Sequence, residues 1–222
     1  PEFLDILQGT IADIANATAQ FEPVVLLADK SYHSAAKKLL SGNVTLWDIP
    51  TDDLWARDAG PIVTTNGKGA RQVSHIRFNG WGNRQTHDND GKIAERVAER
   101  LGLPLLASPL QGEAGGVEQD GHGLLIAHES SWLHDNRNPG QTRDQIEAAL
   151  LQAYGATRMI WTPGLKDEDI TDYHIDSLLR LTGPNRALIN LPADADPEDP
   201  FHQAALQTRD MVVAAGVQVD II

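Results

Sequence analysis

Apolar side chains recur three or four residues apart at Phe3, Leu7, Ile11, Ile14 and Ala17, so residues 3–20 are predicted to form an amphipathic helix. The run VVLLAD (24–29), a helix through Ala35-Ala36-Lys37-Lys38-Leu39-Leu40 and the run VTLWDIP (44–50) then give strand, helix, strand. Further short apolar or alternating runs read as strands: PIVTT, VSHIRF, GVEQ, GLLIAH, ATRMIW, Ile175 to Leu181, and ALINLP. Helical periodicity returns at 91–102, 142–153 and about 198–215. Gly and Pro punctuate the turns, and no low-complexity linker separates the segments.

Strands come in small groups with one helix per group, without the strict alternation of a doubly wound sheet. The expectation is an α/β fold of repeated modules in one domain, 1–222. The last residues, GVQVDII, read as a buried strand following a helix, which suggests that further chain belongs to the fold.

Composition narrows the function classes. The chain of 222 residues is 41% hydrophobic and 22% charged, normal for a globular protein, and no apolar run reaches the ~18 residues a membrane span needs. No signal-peptide pattern is visible, which points to the cytoplasm. The formal charge of -13 disfavours nucleic acid as a partner and favours a small cation. There is no Cys, so disulfides, thiolate metal sites and a cysteine nucleophile from these residues are excluded.

Three segments carry candidate chemistry. TDDLWARDAGP (51–61) sets Trp55, Arg57 and Asp58 before a Gly-Pro turn; a carboxylate beside an indole suits a planar cation, and an Arg57–Asp58 structural pair beside a core Trp is the alternative. DITDYHIDS (169–177) places His174 and Asp176 two apart, which on a strand shares one face and fits acid–base work or a metal. His122 and His128 lack the spacing that would complete a metal set, and Asp169, Asp172 and Tyr173 read as a solvated turn. GEAGGVEQDGHG (112–123) has neither P-loop nor dinucleotide spacing; its glycines fit tight turns and close backbone approach, with Glu113 either a site carboxylate or a turn residue. FNGWGNR (78–84), HDND (87–90) and HDNRNPG (134–140) read mostly as turn architecture.

Taken in order, LWARDAGP, FNGWGNR, DNDG, EAGGVEQDG, NRNPG and DITDYHID resemble the agmatine deiminase and Porphyromonas-type peptidylarginine deiminase family. The resemblance spans nearly the whole chain. It implies a pentein, an α/β propeller of five modules of which about three would be present, and a C-terminal segment with the cysteine nucleophile outside these residues. It implies that Asp58 and Asp176 hold the substrate guanidinium, that His174 is the catalytic histidine supported by Glu113, and that Trp55 lines the guanidine pocket. No cofactor and no metal are expected, and a homo-oligomer or a complementary C-terminal polypeptide would cover open strand edges. Ala114 replaces the second residue of the usual Glu-Gly-Gly and questions the turn, while Tyr173 stands where a small or acidic residue is common and could narrow the pocket. The expected reaction is hydrolysis of agmatine to N-carbamoylputrescine and ammonia, with this chain alone inactive. The alternatives are deimination of peptidyl-arginine and a non-catalytic pentein module.

Overall fold

In a computed structural model, residues 3–222 are described, and they form two compact units, one ending at Leu54 and the other Trp55–Ile222. The first unit holds α1 (Leu4–Thr18), β1 (Val24–Ala28), a short helix α2 (His33–Ala36) and β2 (Val44–Asp48), with β1 and β2 parallel. The helix expected to run to Leu40 stops at Ala36 and gives way to a turn. On α1, Ala12 and Ala15 are the buried positions. A hollow of about 430 Å³ in this unit is lined by His33, Lys37, Leu40, Ser41, Gly42, Val44 and Leu46, with no carboxylate to receive a guanidinium.

The second unit repeats one connectivity three times. An antiparallel strand pair is followed by a helix that returns the chain to a third strand parallel to the second. After the short helix α3 (Ala56–Ala59), the first repeat comprises β3 (Ile62–Thr65), β4 (Arg71–Arg77), a helical turn α4 (Gly80–Asn83), α5 (Ile93–Leu101) and β5 (Leu105–Gln111). The second comprises β6 (Val117–Gln119), β7 (Leu124–His128), the short α6 (Glu129–Trp132), α7 (Arg143–Tyr154) and β8 (Arg158–Thr162). The third comprises β9 (Leu179–Gly183), β10 (Arg186–Ile189), α8 (Pro200–Ala214) and β11 (Gln218–Ile221). Among the described residues no strand pairing joins one sheet to the next, so the strands form separate small mixed sheets rather than a closed barrel.

Local chemistry explains the element ends. Thr142 and Gln145 form a reciprocal capping box on α7, Asp199 caps α8 with Pro200 at its first turn, and α5 and α7 end at left-handed Gly102 and Gly155. The run Leu124–His128 is buried at every position because β7 lies between two cores. Leu124 and Ile126 join Tyr173, Ile175, Leu179, Ile189 and Val212, while Leu125 and Ala127 join Trp132, Ile146, Leu150 and Trp161. One strand went unread and one strand expectation fails in part. Leu105–Gln111 is a strand although its Pro109 and Ser108 hide the pattern, and Ile175–Ser177 is a 3-10 turn, with the strand starting only at Leu179. No helix among the described residues is long and apolar enough to cross a membrane.

Candidate active site

Gly115 is the point on which the candidate residues converge. A β-carbon there would lie 2.5 Å from Asp58 Oδ1, 2.6 Å from His174 Nδ1 and 3.0 Å from Asp176 Oδ2. Only glycine lets the backbone pass between these groups, and the reason is close approach, since Gly115 is not in the left-handed region. Ala114 is not left-handed either, so its replacement of a family glycine strains nothing in the turn.

Each side chain is held by a different segment. Asp58, at the end of α3, accepts from Gly115 N–H and from Trp81 Nε1, both at 3.0 Å. Glu113 lies between β5 and the 3-10 turn Ala114–Gly116 and is 1% exposed. His174 and Asp176 come from the loop before β9; they reach the same place through a 3-10 turn, not through a shared strand face. Trp55 directly precedes α3 and is exposed.

His174 is the electrostatic centre. Its Nε2 sits 3.2 Å from Glu113 Oε2; a carboxylate accepts, so Nε2 carries a proton and Nδ1 faces Asp58 at 3.8 Å. Burial opposes the imidazolium, but the Glu113 hydrogen bond and charge, with Asp58 and Asp176, outweigh it and hold the His174 pKa above its ordinary value. Asp58 is raised as well, foremost by burial, which exceeds the opposing pull of His174 and the Trp81 and Gly115 bonds. A cation placed between Asp58 and Asp176 would favour the charged carboxylate and oppose the rise that burial causes.

Several residues that build the site escaped the sequence reading. Arg137, in the segment taken as turn architecture, is fully buried and spans two carboxylates, with Nε 2.9 Å from Glu113 Oε2 and Nη1 2.5 Å from Asp172 Oδ2. Arg84 makes a second bridge to Asp172, 3.0 Å, and reaches Asp167 at 2.9 Å. Burial pushes Asp172 up, but the Asp167 N–H and the two arginines prevail and hold it below the usual carboxylate range. Asp172 is thus no solvated turn residue. Arg57 pairs not with its neighbour Asp58 but with Glu118 at 2.7 Å and Asp176 at 2.6 Å. The usable signal was a surplus of acidic residues in 167–176, which demands cations from elsewhere in the chain.

His134, Asp167 and Asp172 offer oxygen and nitrogen atoms within 4.8 Å of one another, a spacing a metal ion could use. The guanidinium groups of Arg84 and Arg137 already balance these carboxylates, so the donor set does not fit a divalent cation.

Fold and cluster together define an α/β protein with mixed sheets and two carboxylates and an imidazole gathered over one glycine. The chain belongs to the Porphyromonas-type peptidyl-arginine deiminase family, whose profile matches residues 1–221. Two curated relatives, from Shewanella frigidimarina and Streptomyces coelicolor, are each described as a putative agmatine deiminase and are 34% and 32% identical over 205 and 198 residues. The alignments cover 90% and 86% of this chain but 55% and 58% of those relatives, so the chain spans little more than half their length. Among solved structures, the agmatine deiminase of Enterococcus faecalis superposes with a TM-score of 0.88 at 23% identity, over 97% of this chain and 61% of that one. The C. jejuni agmatine deiminase with substrate bound gives 0.84 at 24% identity, over 98% and 64%. At these identities the likeness establishes the fold.

Proposed function

We propose that the protein contributes the substrate-holding and proton-transferring half of a guanidine deiminase, with agmatine as substrate and N-carbamoylputrescine and ammonia as products. The observation that carries this reading is the placement of Asp58, Asp176 and His174 around Gly115. In it, both units belong to one catalytic domain, and the three like-connected sheets are three modules of a five-module propeller.

Asp58 and Asp176 hold the guanidinium by paired N–H bonds, with Trp55 offering an indole face. A thiolate attacks the central guanidine carbon. These 222 residues contain no Cys, so the thiolate is supplied by polypeptide outside them. His174, whose imidazolium form the Glu113 hydrogen bond and charge favour, gives its Nδ1 proton to the departing nitrogen, which leaves as ammonia. The neutral imidazole then takes a proton from water, the hydroxide adds to the same carbon, and the thiolate leaves; the hydroxyl proton passes through solvent to the ammonia, giving ammonium, as the neutral carbamoyl product is released. No cofactor enters the balance. Curated relatives at 34% and 32% identity named for agmatine support the small dication over a peptide.

The test is ammonia release from agmatine by the protein carrying its thiol, with and without a thiol-alkylating reagent. Release that alkylation abolishes supports the proposal. Absence of ammonia from agmatine, with release from peptidyl-arginine, would move the assignment to the peptide reaction; release from neither would overturn it.

A further inference from the structure

The residue immediately before His174 is held in an unusual way. Asp172 and Tyr173 are both left-handed, with φ of 59° and 62°, a conformation that side-chain-bearing residues rarely adopt. Such a pair persists only where its surroundings over-determine it. The Tyr173 ring does not narrow the substrate site: it is 7% exposed, lies tilted against His128 with centroids 4.7 Å apart, and meets Phe201 of α8 edge-on at 5.0 Å. Ser130 Oγ donates to Asp172 O at 2.6 Å, and His128 Nδ1 lies 2.7 Å from Tyr173 O.

His128 is itself wholly buried at the end of β7. A carbonyl can only accept, so Nδ1 carries the proton, and in the neutral ring Nε2 must accept the Thr208 hydroxyl of α8, 3.2 Å away. Burial, partly opposed by the Tyr173 carbonyl, lowers the His128 pKa to about 4, so a neutral ring is the resting state. Gly164, left-handed at φ 66°, packs against the His128 side chain so closely that a β-carbon there would lie 2.7 Å from His128 Cβ.

We propose that His128, fixed in its Nδ1–H tautomer by the Tyr173 carbonyl with Thr208 donating to Nε2, is a positioning residue: it clamps that carbonyl and so aims His174 at Glu113 and the glycine turn. The inference takes His174 as the acid–base group of the proposed reaction, but the orientation it describes can be read without turnover. The groups that face His128 are Tyr173, Thr208, His174 and Asp169; those that face His174 are Glu113, Asp58 and Asp176.

The experiment is nitrogen-detected NMR of the histidine rings in this chain. In the unaltered protein His128 is expected as the Nδ1–H tautomer, neutral throughout pH 5.5–8, while His174 titrates above the ordinary imidazole range. An Nε2–H tautomer at His128 would overturn the proposal without any variant. Next, H128L removes the donor and should move the His174 midpoint down by about one unit, because alignment on Glu113 is lost, whereas H128N keeps an N–H near Nδ1 and should restore at least half of that shift. In the Y173G background, where glycine adopts the left-handed turn unaided, the H128L shift should shrink. An unmoved His174 in folded H128L, or equal shifts in H128L and H128N, would overturn it; if H128L does not fold, the tautomer and H128N decide. Failure of agmatine turnover alone would count against the deiminase reading and leave this result intact.

Discussion

A single methyl group at Gly115 would meet Asp58, His174 and Asp176 at once, so Gly115→Ala is a minimal change that reaches both proposed substrate-holding carboxylates and the imidazole. Displacement by about an ångström of groups that must hold a planar substrate costs about 10²-fold. We expect G115A to weaken agmatine binding by about that factor, measured by calorimetry on the Cys-free chain, where nothing turns over; unchanged affinity would place the guanidinium elsewhere. His174 sets a pH signature. Its folded pKa is raised above the unfolded value of about 6.5, so its contribution to stability is complete below about pH 6.5 and is lost as pH rises through the folded pKa. The stability difference between the native chain and H174Q, from urea unfolding at pH 5.5, 7 and 9, should therefore narrow toward high pH. A difference that stays constant would show that Glu113 does not favour the imidazolium. Asp58, His174, Asp176 and Glu113 were each legible as candidates: Asp58 and Glu113 stand beside glycine turns, and His174 and Asp176 stand two apart. Their partner Arg137 was not: an arginine in an Asn-rich turn looks solvated until the fold buries it between Glu113 and Asp172.

Among the elements, the loop between α6 and α7 does more than turn the chain. Asn138 receives the Gln111 N–H on Oδ1 and donates from Nδ2 to the carbonyls of Gln111 and Trp132, which fixes the loop against β5, and Arg137 then ties Glu113 to Asp172 in the β8–β9 connection. Arg137→Leu would leave two buried carboxylates without their shared cation, a class of change that costs about 3–5 kcal/mol. The check is a urea midpoint; a loss below about 1 kcal/mol would mean that Arg84 alone neutralises the pair. By contrast, Thr142→Ala removes only one cap of α7 and should cost about 1 kcal/mol, with His174 titrating unchanged. Helices with sharp caps were readable, as α7 and α8 show. The run Ile175 to Leu181 misled because its apolar residues mimic a strand from the start, whereas left-handed Asp172 and Tyr173 lead into a 3-10 turn at Ile175–Ser177 that no period reports.

At the scale of the molecule, the grouping of strands and single helices along the sequence corresponds to a physical repeat, an antiparallel pair closed by a helix and a parallel third strand, in Trp55–Ile222. The hidden part was Leu105–Gln111: Pro109 and Ser108 sit where a strand should alternate, and only pairing with β4, across a register shift, recruits them. The same chain carries a formal charge of -13, far more than the cluster at Gly115 needs. Agmatine carries a guanidinium and an ammonium, so a field of this sign should draw it in from solution, and such steering weakens once the screening length falls toward 10 Å at about 0.1 M salt. The site itself is buried, and short contacts there are screened far less. The expected outcome is therefore asymmetric: with the thiol-bearing protein, kcat/KM for agmatine falls several-fold between about 0.02 and 0.3 M salt while kcat holds. Arginine, whose carboxylate cancels one of its two positive charges, should show a shallower slope. If kcat fell in step with kcat/KM, salt would be acting on the His174–Glu113 and Arg137 network rather than on the encounter. If the two compounds shared one slope, the net charge would be a property of the surface that the substrate does not feel.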